Sequence, residues 1–266
     1  MAKLGSIVLG VVPCRLGSTR FPGKPLALLA GRPLVEHVVA RLKAASTVDA
    51  VLVATDSDEI AEAGVAAGGE VRLVERPCAT GSDRSAAAVR DRAGDIVVSL
   101  QVDQPLIDPA DIDRAVALLE SGFDMTTLAY PCDDTVGYAS RDVVKVVVGA
   151  DGRALYFSRA PIPSSKSEPA PSSTDGGSGG GEGRRNGLYL HHVGLYCFRR
   201  SALERFAATP RGELETIECL EQLRALEMGL SIGVVITDHG RPGVDRPEDI
   251  APLEDLLSSG EVEGSP

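Results

Sequence analysis

Three short runs in the sequence are apolar from end to end and rich in β-branched residues: "SIVLGVV" (Ser6–Val12), "AVLVAT" (Ala50–Thr55) and "DIVVSL" (Asp95–Leu100). A strand with one wet face alternates apolar and polar residues, whereas a strand covered on both faces does not. Runs of this kind call for a parallel sheet with helices on each side. The intervening segments supply helices. "RPLVEHVVARLKAA" (Arg32–Ala45) has apolar residues at helical spacing and a proline near its start. "DSDEIAEAGVAAG" (Asp56–Gly68) has an acidic first turn and a glycine stop, and "GSDRSAAAVRDRAG" (Gly81–Gly94) follows with Ser82 as the expected N-cap. This β-α-β-α order predicts an α/β doubly wound fold.

Further on, "MTTLAYP" (Met125–Pro131), "VVKVVVG" (Val143–Gly149), "RALYFSR" (Arg153–Arg159), "VGLYCF" (Val193–Phe198) and "SIGVVIT" (Ser231–Thr237) read as strands. "ETIECLEQLRALEMG" (Glu215–Gly229) reads as one amphipathic helix, and "RPEDIAPLEDLLSSG" (Arg246–Gly260) as another. Residues 164–187 are almost all Ser, Gly, Pro and charge. Such a segment buries too little apolar surface to order itself and is expected to be a flexible loop. Strands continue on both sides of it, so residues 1–266 are expected to form a single domain.

A net charge of −11 argues against a nucleic-acid surface, which needs a basic stripe. The five cysteines are odd in number and none is spaced CxxC, which speaks against a disulfide framework or a zinc cluster and for a reducing, cytoplasmic setting. No apolar run approaches the roughly 20 residues of a membrane span.

The acidity makes one stretch stand out. After the first strand comes "CRLGSTRFPGKPL" (Cys14–Leu26), with Arg15, Arg20 and Lys24 set among Gly17 and Gly23. Open α/β sheets bind ligands beyond the carboxyl ends of their strands. Glycines there let backbone N–H groups approach an anion. The stretch reads as a phosphate cradle, although it lacks the Walker A spacing; a solvated basic loop is the other reading. "QVDQPLI" (Gln101–Ile107) leaves the third run in the same way and carries Asp103 to the same rim. Asp245, in "GVDRPED" (Gly243–Asp249), follows the last strand. Two carboxylates facing phosphates call for a cation, and Mg2+ suits them; alternatively each Asp caps the helix after it. "ATGSDR" (Ala79–Arg84) opens a helix whose amides and Arg84 suit a base or a phosphate. Arg159 in "FSRAPIP" suits an anionic group. His192 and Tyr196 lie in "HHVGLY"; a satisfied core histidine is the plainer reading of His192.

Taken in order, "RLGSTRFPGKPL", "VATD", "TGSDR", Q-x-D-x-P-L-I, "VVKVV", "ALYFSRAPIP", H-V-G-L-Y, "LEQLRALEMG" and "GVDRPED" resemble the CMP-Kdo synthetases, CTP-dependent cytidylyltransferases acting on the acid sugar 3-deoxy-manno-octulosonate (Kdo). The resemblance runs from about Ser6 to Leu257. It implies a nucleotide-diphospho-sugar transferase-like mixed sheet with a small β-rich dimerisation subdomain, and hence a homodimer. It puts Arg15 and Lys24 on the CTP triphosphate, with Lys24, Arg15 and Asp103 as the catalytic group. Thr80, Gly81, Ser82, Arg84 and Gln101 would bind the nucleotide, and Asp103 and Asp245 the Mg2+. Gln101, Arg159, His192, Tyr196, Glu218 and Gln222 would contact the acceptor. Glu218 and Gln222, four apart on the predicted helix, would share a face.

The family usually reads QGDEP where this chain has QVDQP. Val102 and Gln104, with the segment between Arg159 and His192, all touch the metal rim or the acceptor side. A changed acceptor, such as the phosphonate phosphonoformate, is therefore an expectation beside Kdo and other acid sugars. A catalytically inactive nucleotide-binding relative and a sugar-1-phosphate nucleotidyltransferase are further alternatives.

Overall fold

A computed structural model describes residues 5–17, 20–164, 187–238 and 240–259; the segment read above as a flexible loop lies almost wholly outside them. The chain starts with β1 (Val8–Pro13), then a 3-10 turn at Lys24–Leu26 and a small ribbon of β2 (Leu28–Leu29) and β3 (Arg32–Pro33). Next come α1 (Leu34–Ala44), β4 (Ala50–Thr55), α2 (Asp58–Ala66), β5 (Glu70–Leu73), α3 (Gly81–Val89), β6 (Ile96–Leu100) and α4 (Pro109–Leu118). The second half holds β7 (Met125–Cys132), α5 (Thr135–Ala139), β8 (Lys145–Val148), β9 (Ala154–Ser158), β10 (Tyr189–Arg199), α6 (Arg200–Ala208), α7 (Glu213–Glu218) and α8 (Gln222–Glu227). β11 (Ile232–Ile236), a 3-10 turn at Pro247–Asp249 and α9 (Ile250–Ser258) complete it.

The main sheet has the order β11-β7-β10-β6-β1-β4-β5, and β8 and β9 form a hairpin against β10. β1, β4 and β6 are mutually parallel, as their continuous apolar runs predict, and β5, which no such run announced, joins β4 in the same sense. β1 shows why no alternation is visible. Val8 and Val12 enter one core with α1 and α4, while Leu9 and Val11 enter the opposite core with α3 and α6. Gly10 sits where a Cβ would meet Leu42 and Val48 at 3.2 Å. The result is the expected mixed α/β fold.

Four expectations change. β10 is longer than the run Val193–Phe198 that announced it, and it lies antiparallel to both β6 and β7, a direction its run did not specify. Apolar patterning reports burial and carries no strand direction. The predicted helix over Glu215–Gly229 is two helices, broken at Cys219, whose φ of 54° is left-handed. No glycine marks this C-cap, and the apolar spacing runs on across it, so periodicity alone misses the break. Thr80, not Ser82, caps α3: its Oγ1 accepts from the Asp83 N–H, and the Asp83 carboxylate accepts from the Thr80 N–H in return. That helix also ends at Val89, short of the predicted Gly94. All five cysteines are free thiols, as expected.

Candidate active site

Because β1 and β6 are parallel, and β11 runs the same way beyond β10, their carboxyl ends open on one edge. The loops after these three strands carry Lys24, Asp103 and Asp245, and they meet. Lys24 Nζ lies 3.5 Å from Asp103 Oδ2 and 3.8 Å from Asp245 Oδ1, and donates to the Val244 carbonyl at 2.9 Å. The Val244 N–H in turn donates to the Asp103 carbonyl at 2.9 Å, so the two loops are stitched together. Neither aspartate caps a helix: Asp108 caps α4, and Arg246 precedes the turn leading to α9. The capping reading of Asp103 and Asp245 therefore falls away.

Asp103 Oδ1 is buried without a hydrogen-bond partner. Burial pushes this carboxyl above its ordinary range, against the pull of Lys24. A buried, unpaired carboxylate oxygen facing a second carboxylate suits a hard divalent cation that takes its remaining ligands from phosphate oxygens or water. The Gln104 amide also bonds Asp103. Val102 is only 8% exposed and packs in the α1-side core, so its side chain leaves Asp103 clear.

Lys24, Asp103, Arg15, Arg20, Thr80 and Arg84 all line one cleft of about 250 Å3. Its far wall is the first turn of α3. Ser82 is fully buried, its N–H donating to Glu221 Oε2 at 2.9 Å and its Oγ without a partner. Arg84 is held by Asp56 at 2.8 Å and by the Val74 carbonyl. A Cβ on Gly81 would run into the Gln101 amide. Because that amide is the end of a flexible side chain, Gly81→Ala is expected to leave the melting temperature nearly unchanged and to cut kcat/KM about tenfold by displacing Gln101. A full loss of the folding transition would place Gly81 in the scaffold instead.

The residues expected on the acceptor side are only partly brought together. At the bulge between Val193 and Tyr196, β10 turns Tyr196 inward; its hydroxyl donates to Gln222 Oε1 at 3.0 Å, and Gln222 Nε2 is buried without a partner. Gln101 reaches Glu221 at 3.3 Å, and Gly194 lies over both Gln101 and Asp103. His192 is buried behind this row, its ring stacked on Tyr196 and its Nε2 3.0 Å from Thr127 Oγ1, and burial lowers it to about 3. It is a neutral packing histidine, as its plainer reading had it.

Glu218 does not share a face with Gln222, because the break at Cys219 separates them. Its carboxylate takes the Ser158 hydroxyl at 2.6 Å and the Arg159 N–H at 2.9 Å. The Arg159 guanidinium rests on the carbonyls of Glu218 and Arg141. Glu218 thus positions Arg159. The residue that sequence reasoning missed is Glu221, which joins Gln101 to the α3 N-terminus. Its only signal was adjacency to Gln222.

Comparison with known proteins agrees with this geometry. Residues 9–232 match the family described as cytidylyltransferase. A 3-deoxy-manno-octulosonate cytidylyltransferase of Anaeromyxobacter sp. (strain K) is 47% identical over 94% of this chain and 97% of its own length. One from Bdellovibrio bacteriovorus is 42% identical over 95% and 98%. Among solved structures, CMP:2-keto-3-deoxy-manno-octonic acid synthetase complexed with CTP superposes with a TM-score of 0.81 at 33% identity, over 96% of this chain and all of that one. A 4-diphosphocytidyl-2C-methyl-D-erythritol synthase of Anaerococcus prevotii, 13% identical with a TM-score of 0.60, shares the fold. A rim built by Lys24, Asp103 and Asp245, on a sheet that superposes on a CTP-bound synthetase, belongs to a chain that is itself a member of the 3-deoxy-manno-octulosonate cytidylyltransferase family.

Proposed function

We propose that this enzyme transfers CMP from CTP to Kdo in the presence of Mg2+ and releases pyrophosphate. The observation that carries this reading is the convergence of Lys24 on Asp103 and Asp245 at the mouth of a cleft closed by the α3 N-terminus. Sequence relatives named for the same acid sugar over nearly the full chain support the acceptor. They give no support to a phosphonate acceptor or to an inactive regulator.

The chemistry follows from the residues. A hydroxyl oxygen of the acceptor attacks the α-phosphorus of CTP, forming an O–P bond and releasing its proton to solvent, as the bond from the α-phosphorus to the bridging oxygen breaks and pyrophosphate leaves with that oxygen. Lys24, Arg15 and Arg20 bring positive charge to the triphosphate. Asp103 and Asp245 would hold Mg2+, which would supply charge neutralisation on the transferring phosphate. The α3 turn, with Thr80, Gly81, Ser82 and Arg84, holds the cytidine end. Tyr196, Gln222, Gln101, Glu221 and Arg159 orient the acceptor, and no covalent enzyme intermediate is required.

Pyrophosphate release from CTP with Mg2+, measured with Kdo, a sialic acid and phosphonoformate, tests this. Turnover with Kdo is expected. Turnover with phosphonoformate alone would overturn the acceptor, and none with any acceptor would revive the inactive reading. The homodimer belongs to the same proposal; the exposed Leu155 on the outer strand of the hairpin suits it, and a monomer mass in light scattering would remove it.

A further inference from the structure

Arg20 lines the nucleotide cleft, yet its guanidinium is already engaged on both sides. Nη2 lies 3.2 Å from Asp245 Oδ1, and Nη1 lies 3.3 Å from Asp142 Oδ1. Asp142 comes from the turn before β8, far along the chain from the phosphate loop. Its second oxygen, Oδ2, meets Arg246 Nη2 at 3.3 Å. The four side chains are 37–51% exposed. Exposed ion pairs at such distances add little to folding, so the fold offers no strong reason for Asp142 to sit there. A triphosphate offers Arg20 more charge and shorter, charge-assisted hydrogen bonds than one exposed carboxylate does.

Resting on the CTP-binding reading above, we propose that Asp142 is a placeholder for the triphosphate and thereby sets nucleotide affinity. It holds Arg20 at the rim of the cleft and gives it up when the nucleotide's phosphates arrive. Asp142 retains Arg246 when Arg20 leaves, so the exchange strands no carboxylate. Asp245 is the other partner of Arg20, but it also faces Lys24 and Asp103. Among the described residues, the Asp142 side chain pairs with the two rim arginines alone. Nucleotide binding is therefore a competition between carboxylate and phosphate for one guanidinium.

The sign of the effect separates this role from a structural one. A residue that merely shapes the loop weakens binding when removed; a placeholder strengthens it. Calorimetric titration of CTP with Mg2+ and no acceptor reads this directly. Asp142→Asn is expected to bind CTP about two- to fivefold more tightly than the natural chain, a small factor because exposed pairs are weak. In an Arg20→Ala background, the same Asp142→Asn change is expected to do nothing. An unchanged or weaker affinity for Asp142→Asn overturns the proposal. So does an equal gain with and without Arg20, which would report only a general loss of negative charge. If the natural chain binds no CTP, the cytidylyltransferase reading itself fails, a result distinct from either of these. Unchanged melting temperatures of the exposed variants keep folding out of the comparison.

Discussion

Asp103→Asn is expected to lower kcat at saturating substrates by about 10³-fold or more, while raising the melting temperature of the ligand-free enzyme by about 2–4 °C. Both effects come from one cause. Oδ1 of Asp103 is buried without a partner, and burial outweighs Lys24 in setting the carboxyl's affinity for a proton. A carboxyl whose folded pKa lies above its unfolded value costs stability wherever it must ionise. The cost sets in as pH rises above the ordinary carboxylate range and is complete above the folded value. The neutral amide removes that cost at pH 7 and gains nothing in acid, where the native carboxyl is already neutral. It also removes the charge that a divalent cation needs. Asp245→Asn should match it in lost turnover but not in added stability, since Asp245 is 37% exposed. Near-normal turnover in either variant would falsify the cation site. A lower melting temperature for Asp103→Asn would mean that the Lys24 pair outweighs burial.

How far the sequence carries can be judged from particular elements. Ala50–Thr55 was legible to the residue because both of its faces are apolar and its ends are abrupt. The placing of Lys24, Asp103 and Asp245 was legible in kind, because parallel strands deliver their exit loops to one edge. The antiparallel sense of β10 was not legible, since side-chain pattern is blind to direction. Nor was the break at Cys219, where a left-handed residue stands without the usual glycine. The family resemblance named Glu218, and i,i+4 spacing put it on one face with Gln222; the break removes that shared face, Glu218 turning to Arg159 and Glu221 to Ser82 and Gln101. Local rules failed where a tertiary contact took the side chain, and those places lie around the α7–α8 break.

The largest stability effect is expected away from the rim, at Arg224. This arginine is 2% exposed and its fork is saturated. Nε and Nη2 grip the buried Glu215 at 2.7 and 2.8 Å, and Nη1 and Nη2 grip Asp83 at 2.8 and 3.1 Å. The guanidinium also stacks 4.2 Å over the Phe206 ring. The cluster ties α7, α8 and α6 to the capping box of α3. Arg224→Met is expected to destabilise the fold by about 2–4 kcal/mol in urea unfolding, because it takes both short bonds from Glu215, which is 1% exposed, and leaves it only the half-exposed Arg211 at 3.3 Å. An exposed pair such as Arg92–Glu70 should contribute less than about 1 kcal/mol by comparison. Arg224→Lys should recover little, since a point charge cannot satisfy two carboxylates in a plane. If stranded charge is the cause, adding Glu215→Met to Arg224→Met should restore much of the loss, since an apolar pair of similar volume can replace a buried ion pair. A double variant no better than the single would assign the loss to packing on Phe206. In the restored double variant Asp83 still caps α3 but has lost its outer brace. Weaker CTP binding there, with stability regained, would show that the brace serves the nucleotide site as well as the fold.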